Sequence, residues 1–201
     1  MKSDDAVLTH CVITNHSLGC SGGCEKGLAV AMEKGRIENC LVAFNKSKST
    51  TDTTANDNGG AVYMSGGSLA NCTVISNSYQ GCAGVYATGG TVANCLIVGN
   101  VSTLAGAEAS VWRGTAGCFT RCLGEVKIND NCLTGSTDVF RQARMKHGVF
   151  IPSGKSAARD AGDTVFVSET TDLYGKPRVF GGNVDLGCAE SQTGGLHIYV
   201  R

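Results

Sequence analysis

The sequence predicts an all-β protein, a single-stranded right-handed parallel β-helix of about five to seven coils with an irregular C-terminal cap. Three observations predict it: a phrase that recurs four times, apolar residues that alternate within each copy, and a glycine-rich composition. The 201 residues include 28 glycines but 2 prolines, and 6% of them are aromatic. This composition suits many tight turns between short strands better than a helical bundle.

The recurring phrase runs from a valine, through a cysteine, to an asparagine. Its copies are AVAMEKGRIENCLVAFN, AVYMSGGSLANCTVISN, GVYATGGTVANCLIVGN and a diverged SVWRGTAGCFTRC. In the first three copies the valine stands ten residues before the cysteine, and in the fourth it stands eleven before it. The pairs are Val30 with Cys40, Val62 with Cys72, Val85 with Cys95, and Val111 with Cys122. Constant phrases at variable offsets are typical of stacked repeats joined by loops of different length.

Each copy contains at least two short strands. After Cys40, Val42 and Phe44 continue an alternation of period two, which indicates a β-strand. A second alternating stretch precedes the cysteine, and a corner such as Gly66–Gly67 separates the two. Stacking every strand on its counterpart in the next copy gives parallel sheets.

The cysteines and asparagines of the repeat predict two internal ladders. Five of the 11 cysteines are expected to stack as free, buried thiols: Cys11, Cys40, Cys72, Cys95 and Cys122. Disulfides between neighbours are disfavoured because parallel Cβ vectors make the required dihedral hard to reach. Asn15, Asn45, Asn77 and Asn100 follow four of these cysteines and are expected at sharp corners with left-handed backbone angles. Zinc binding at Cys20 and Cys24 lacks two further well-placed ligands.

The repeat ends near residue 130, which divides the chain into two parts. Residues 1–130 are expected to form the coils, with an incomplete N-terminal end, and residues 131–201 the last rungs and the cap. Val149 to Ile151 are predicted to add one rung, and Val165 to Val167 another. The acids of this tail are expected to accept hydrogen bonds from backbone amides at tight turns. They are Asp160, Asp163, Asp172 and Asp185.

The chain resembles bacterial right-handed β-helix proteins of the pectate-lyase-like superfamily in its repeats. Its tail segments SGKSAARDAGD and TDLYGKPRVFGGNVDLGCAE resemble the C-terminal region of choice-of-anchor Q proteins. Those proteins typically carry SPAIDAGD, then D-x-x-G-x-P-R and VDIGAYE. Here Ser156-Ala157 replaces Ser-Pro, Arg159 stands at a usually apolar position, and Cys188 at a usually aromatic or small one. The resemblance implies an exported bacterial protein that handles polysaccharides.

An external aromatic stripe is the first candidate site. If the valines of the repeat point inward, the next residue in each copy points outward: Ala31, Tyr63, Tyr86 and Trp112. The three aromatic side chains offer flat apolar surface for the face of a sugar ring. The alternative is an aromatic ladder that only stabilises the stack.

Two acids and one arginine complete the candidate glycan-binding set. Asp52 and Asp57 lie in a long polar loop, and Arg113 follows the tryptophan of the stripe. Lyases of the superfamily use calcium beside a basic residue, so Asp52, Asp57 and Glu108 are weak calcium candidates. No cofactor is otherwise expected. The residues supply neither a converging set of six to eight oxygens nor a recurring pair of outward acids.

The resulting functional prediction is a non-catalytic module that binds polysaccharide or cell-surface glycan, or serves as an adhesin or stalk. The alternative is a polysaccharide lyase or glycoside hydrolase. A formal net charge of zero indicates no nucleic-acid partner, and no apolar run is long enough to span a bilayer. The chain shows no signal peptide, yet the parent protein is expected to be secreted or at the cell surface. The open N-terminal coil end, near Val7 to Ile13, is predicted to drive self-association.

Overall fold

The computed structural model describes residues 1–18, 27–47, 59–79, 81–103, 111–140 and 148–192. Within these ranges the chain passes repeatedly through three sheets. The first pass contains β1 (Val7–Thr9), β2 (Val12–Thr14) and β3 (Ser17–Leu18). The second contains β4 (Val30–Met32), β5 (Arg36–Glu38), β6 (Leu41–Ala43) and β7 (Lys46–Ser47). The third contains β8 (Val62–Ala70), β9 (Thr73–Ile75) and β10 (Ser78–Tyr79).

Later passes repeat this order before the regular structure ends. The fourth contains β11 (Val85–Ala93), β12 (Leu96–Val98) and β13 (Val101–Ser102). β14 (Trp112–Gly114), β15 (Phe119–Thr120), β16 (Leu123–Gly124) and β17 (Leu133–Thr134) follow. Three short 3₁₀ helices span Ala116–Cys118, Thr137–Val139 and Thr164–Phe166.

The strands form three parallel sheets. The first sheet contains β1, β4, β5, β8, β11, β14 and β15; the second contains β2, β6, β9, β12, β16 and β17; the third contains β3, β7, β10 and β13. Equivalent residues of the repeat are paired, for example Val30 with Val62 and Val62 with Val85. The protein is therefore nearly all-β with parallel sheets, which is compatible with a parallel β-helix. β1, β2 and β3 lie at the ends of their sheets, and self-association through them stays a prediction.

The predicted thiol ladder is confirmed. The backbone N–H of Cys11 lies 3.4 Å from the sulfur of Cys40, and that of Cys40 lies 3.5 Å from the sulfur of Cys72. Cys95 and Cys122 continue the ladder, and both are fully buried. The cysteines in the described part of the chain are free thiols: Cys11, Cys40, Cys72, Cys82, Cys95, Cys118, Cys122, Cys132 and Cys188.

The asparagine ladder is also confirmed, with a correction to its backbone. The Nδ2 of Asn45 donates to Oδ1 of Asn77 at 2.9 Å, and Nδ2 of Asn77 donates to Oδ1 of Asn100 at 2.9 Å. The hydrogen-bonded row contains Asn45, Asn77 and Asn100, whereas Asn15 lies at the corner and has the predicted left-handed backbone, with a φ of 59°. In the later copies the left-handed residue stands one position before the asparagine and is Phe44, Ser76 or Gly99, with φ between 54° and 64°. The ladder asparagines after the first therefore serve through their side chains rather than through their own φ angles.

The tail adds β17 as the last strand of the second sheet, as expected, and its later described residues lie along the side of the stack. It covers the outer face of the second sheet in a cluster of buried apolar residues: Leu41, Ala43, Ile75, Leu96, Val98, Leu123, Val139, Phe140, Phe150, Ala158, Leu186 and Cys188. The predicted extra rungs are wrong, since neither Val149 to Ile151 nor Val165 to Val167 forms a strand in the described tail. Lateral packing leaves β6, β9 and β12, the middle strands of the second sheet, buried on both faces, as is typical of parallel sheets.

Candidate functional site

The predicted inward valines position two of the three predicted aromatics. Val62 and Val85 are fully buried, Val30 is buried, and Ala31 is exposed beside them. Tyr63 and Tyr86 are paired in the sheet, and their rings meet edge to face with centroids 5.4 Å apart. Tyr63 is only 6% exposed, which leaves little of its ring for a ligand.

Trp112 does not join this stripe. It is Trp112, not Val111, that stands ten residues before Cys122, the spacing that the valines of the earlier copies keep. The strand register follows this spacing, so Trp112 lies opposite Val85. Its ring packs edge to face on buried Phe119 at 5.6 Å, and its Nε1 is buried without an acceptor among the described residues. The extra residue in the fourth copy thus turns the tryptophan toward the core.

Arg113 takes the place that Trp112 is expected to hold. It pairs with Tyr86 in the sheet, and its guanidinium carbon lies 5.9 Å from the centre of the Tyr86 ring. This cation–π contact covers part of the ring that a sugar needs for stacking. The surface is therefore a tyrosine–tyrosine–arginine row rather than three stacked aromatics. Asp52, Asp57 and Glu108 lie outside the described residues.

The predicted role of the tail acids is confirmed. Asp172 accepts hydrogen bonds from the backbone N–H groups of Tyr174 and Lys176 at 2.9 and 2.8 Å. Asp185 accepts from the backbone of Asp160 and Ser191, both at 2.7 Å. Asp163 accepts from the backbone of Val165 at 3.0 Å, and Asp160 from that of Asn183 at 3.4 Å. These carboxylates shape the turns of the tail.

One acidic cluster in the tail has two buried members, Asp185 and Glu190, and one partly exposed member, Asp160. Carboxylate oxygens of Asp160, Asp185 and Glu190 lie within 4.8 Å of one another. Glu190 also accepts from Arg178 at 3.1 Å and from the backbone of Phe180 at 3.1 Å. Because backbone amides and one arginine already engage these oxygens, the cluster is a structural element.

Burial sets the protonation of this cluster. It raises the pKa of Glu190 from 4.5 to about 7, and it raises the pKa of Asp185 as well. The folded chain therefore binds protons more tightly than the unfolded chain across this interval. The contribution of Glu190 to the free energy of unfolding should decrease as the pH rises from 4.5 to about 7.

Glu190→Gln should flatten this pH dependence, because glutamine does not titrate. Its single carbonyl oxygen replaces only one of the two oxygens that accept from Phe180 and Asp185, so the variant should also be less stable at every pH. Urea unfolding at several pH values between 4.5 and about 7 measures how the free energy of unfolding changes with pH in both proteins. Because the pKa of Asp185 is also raised, a smaller pH dependence of the free energy of unfolding should remain in the variant. Identical slopes in the two proteins would contradict the assignment.

A second asparagine row ties the tail to the stack. Asn39, Asn71 and Asn94 precede three ladder cysteines, have φ between 50° and 53°, and are fully buried. Their Nδ2 atoms donate to the carbonyls of Thr171, Phe166 and Asp163 at 3.0, 2.8 and 2.9 Å. The repeated Asn-Cys dipeptide is the sequence signal for this row.

A cleft opens where this row ends. At the next corner the residue is Arg121, also with a φ of 50°, and its exposed side chain has no hydrogen-bond or ion-pair partner among the described residues. The cleft has a volume of about 740 Å³. One wall contains Thr120, Arg121 and Asn131, and the other contains Asp160, Asp163 and Phe166.

The cleft combines polar groups with one aromatic ring. Arg121 supplies hydrogen-bond donors, Asn131 supplies both donors and acceptors, and the carboxylates supply acceptors. Phe166 is half-buried and adds apolar surface. Asp130 also lines the cleft, and its hydrogen bond with Lys127 lowers the pKa of that carboxyl. A general acid needs the opposite shift.

No family model matches the chain, and no curated protein or solved structure matches it. No helix in the described part of the chain has the length and apolar character needed to cross a membrane.

Proposed function

We propose that this chain belongs to a right-handed parallel β-helix of about five to seven coils that binds polysaccharide or cell-surface glycan without catalysis. The parent protein is secreted or displayed at the cell surface, as the resemblance to choice-of-anchor Q proteins of the pectate-lyase-like superfamily implies. The observation that carries the proposed binding function is the polar cleft between Arg121 and Phe166.

The cleft suits a hydroxyl-rich ligand better than the tyrosine row does. A sugar hydroxyl both donates and accepts, so it pairs with the mixed carboxylate, amide and guanidinium groups of the walls. Arg121 keeps its donors available among the described residues, whereas the guanidinium of Arg113 lies over Tyr86.

Arg121→Ala should weaken binding to the preferred glycan by about tenfold, equivalent to about 1.4 kcal/mol. Its side chain is exposed, so its removal should leave the fold unchanged, and circular dichroism checks this. A panel of neutral, amino and uronate-containing glycans identifies the ligand, and calorimetry then measures the dissociation constant.

Arg113→Ala is the matched control, since it removes an arginine from the first sheet and leaves the cleft intact. Its binding should remain within about twofold of the unmodified chain. If only Arg113→Ala loses affinity, the glycan binds at the tyrosine–tyrosine–arginine row and not in the cleft. Binding to none of the glycans would refute the proposed function, and unsaturated product from a uronate polymer would favour the lyase.

A further inference from the structure

Six thiols form one continuous column through the protein. They are Cys11, Cys40, Cys72, Cys95, Cys122 and Cys132, and each directly precedes a residue that is paired with its counterpart in the neighbouring strand of the second sheet. The thiols of the first five donate to backbone carbonyls and not to one another. The sixth member joins through the pairing of β16 with β17, where the N–H of Leu133 donates to the carbonyl of Cys122 at 2.7 Å. The column is longer than the repeat phrase alone indicates.

Both ends of the column are open to solvent while its middle is closed. Cys11 and Cys132 are half-buried, whereas Cys40, Cys72, Cys95 and Cys122 have no exposed surface. Cys132 lines the cleft described above. An ion in solution can therefore reach a thiol at either end without opening the stack.

The spacing of the column matches one kind of metal coordination. Adjacent strands lie about 4.8 Å apart. A metal–thiolate bond is about 2.3 Å long, so an ion held midway between two sulfurs needs them about 4.6 Å apart. Zinc instead needs four ligands in a tetrahedron, and a straight column places only two sulfurs around each ion. Thiol sulfur is a soft ligand that selects ions such as Cu(I).

We propose that the column binds soft monovalent ions of the Cu(I) class in two-coordinate sites at its ends, between Cys11 and Cys40 and between Cys122 and Cys132. Each ion replaces one thiol proton, which leaves to solvent, and the second sulfur binds as a thiol. The filled site is then neutral, and no atom changes oxidation state.

The surroundings favour this neutral product. The ladder thiols lie in the main apolar cluster, where an uncompensated charge is costly. The sulfur of Cys40 already donates to the carbonyl of Glu38 at 3.1 Å, and that of Cys122 donates to the carbonyl of Thr120 at 3.3 Å. The thiol proton that remains in each site therefore keeps an acceptor.

Silver nitrate in chloride-free buffer is the probe, because Ag(I) has the coordination of Cu(I) without its oxidation chemistry. Native mass spectrometry counts the bound ions, and the ultraviolet charge-transfer band reports metal–sulfur bonds. Cys20 and Cys24 lie outside the described residues, so both are replaced by alanine in every sample. We expect two silver ions per folded chain, and no displacement by equimolar zinc.

Cys11→Ala and Cys132→Ala should each remove one ion, and Cys82→Ala, which removes a buried thiol outside the column, should remove none. An unchanged count in both end variants, or binding only after unfolding, would overturn the proposal. If an end variant does not fold, the two sites are tested instead by alkylating the chain that keeps all six column cysteines, with and without silver. Silver must then protect Cys11 and Cys132 from iodoacetamide, and their modification at the metal-free rate would refute the sites.

Discussion

Arg178→Ala should lower the free energy of unfolding by about 4 kcal/mol. Arg178 is 1% exposed, and it donates to Glu190 at 3.1 Å and to the side chain of Asn71 at 3.1 Å. It also donates to the carbonyls of Asp185 and Gly187 at 3.0 and 2.7 Å. Removal of this side chain takes one donor each from a buried carboxyl, a buried amide oxygen and two carbonyls, and it leaves Glu190 without its buried cation. Arg178 therefore adds a buried side-chain contact to the bonds by which the second asparagine row already holds the tail.

Urea unfolding monitored by circular dichroism measures the loss, and Arg159→Ala provides the matched control. Arg159 forms an ion pair with Asp160 at 3.3 Å, but both side chains are partly exposed, at 23% and 37%. Such a pair contributes less than about 1 kcal/mol. If both variants lose the same free energy of unfolding, buried Arg178 contributes no more to stability than partly exposed Arg159.

Weakening the contact between Arg178 and Asn71 should also favour detachment of the tail from the stack. The tail covers the outer face of the second sheet, and Thr73 on that face accepts a hydrogen bond from the backbone of Cys188 at 3.0 Å. A detached tail exposes a row of apolar side chains on consecutive strands. Exposed apolar patches of this kind promote association, so detachment links loss of stability to loss of solubility.

The repeated part of the fold is predictable because the first three copies place their valine and cysteine at the same spacing. The valine and cysteine of a copy contact their counterparts in the next one, so a fixed spacing along the sequence becomes a fixed register between strands. Alternation then identifies the inward face. The confirmed thiol and asparagine ladders follow from this one-dimensional regularity.

Trp112 shows where this reasoning fails. The fourth copy has one additional residue, and spacing from the valine and spacing from the cysteine give different registers for the tryptophan. The structure keeps the spacing to Cys122, because the cysteine ladder and Phe119 pack inside the stack. A sequence without aligned relatives offers no means to choose between the two registers.

The packing of the tail and the position of the cleft cannot be predicted from the sequence repeat, and the physical reason is different. Their contacts join residues far apart in sequence, such as Asn71 with Arg178 and Thr73 with Cys188, and no periodic pattern relates these partners. The tail acids are predictable because their bonds are mostly local, as for Asp172 with Tyr174. The cleft depends on where the tail leaves the stack, which only the three-dimensional path reveals.

Asn77→Ala should lower the free energy of unfolding by about 4 kcal/mol, because it breaks a ladder that is closed to solvent on both sides. Asn77 is fully buried and accepts from the backbone N–H and the side-chain amide of Asn45 at 3.1 and 2.9 Å. Its own amide donates to the carbonyl of Val42 at 3.0 Å and to Asn100 at 2.9 Å. The alanine leaves these groups with fewer partners where no water replaces them, and each unsatisfied buried group costs about 1–3 kcal/mol.

The size of this effect separates a hydrogen-bonded ladder from a corner that merely tolerates asparagine. Asn77 has no left-handed φ of its own, since Ser76 carries that angle at 54°. Alanine therefore introduces no backbone strain at position 77, and the whole loss comes from the side-chain bonds. Asn183→Ala, at an exposed asparagine of the tail, should change stability by less than about 0.5 kcal/mol in the same urea titration. If Asn77→Ala is as mild as this control, the ladder does not hold successive turns together, and the stack depends on its apolar core alone.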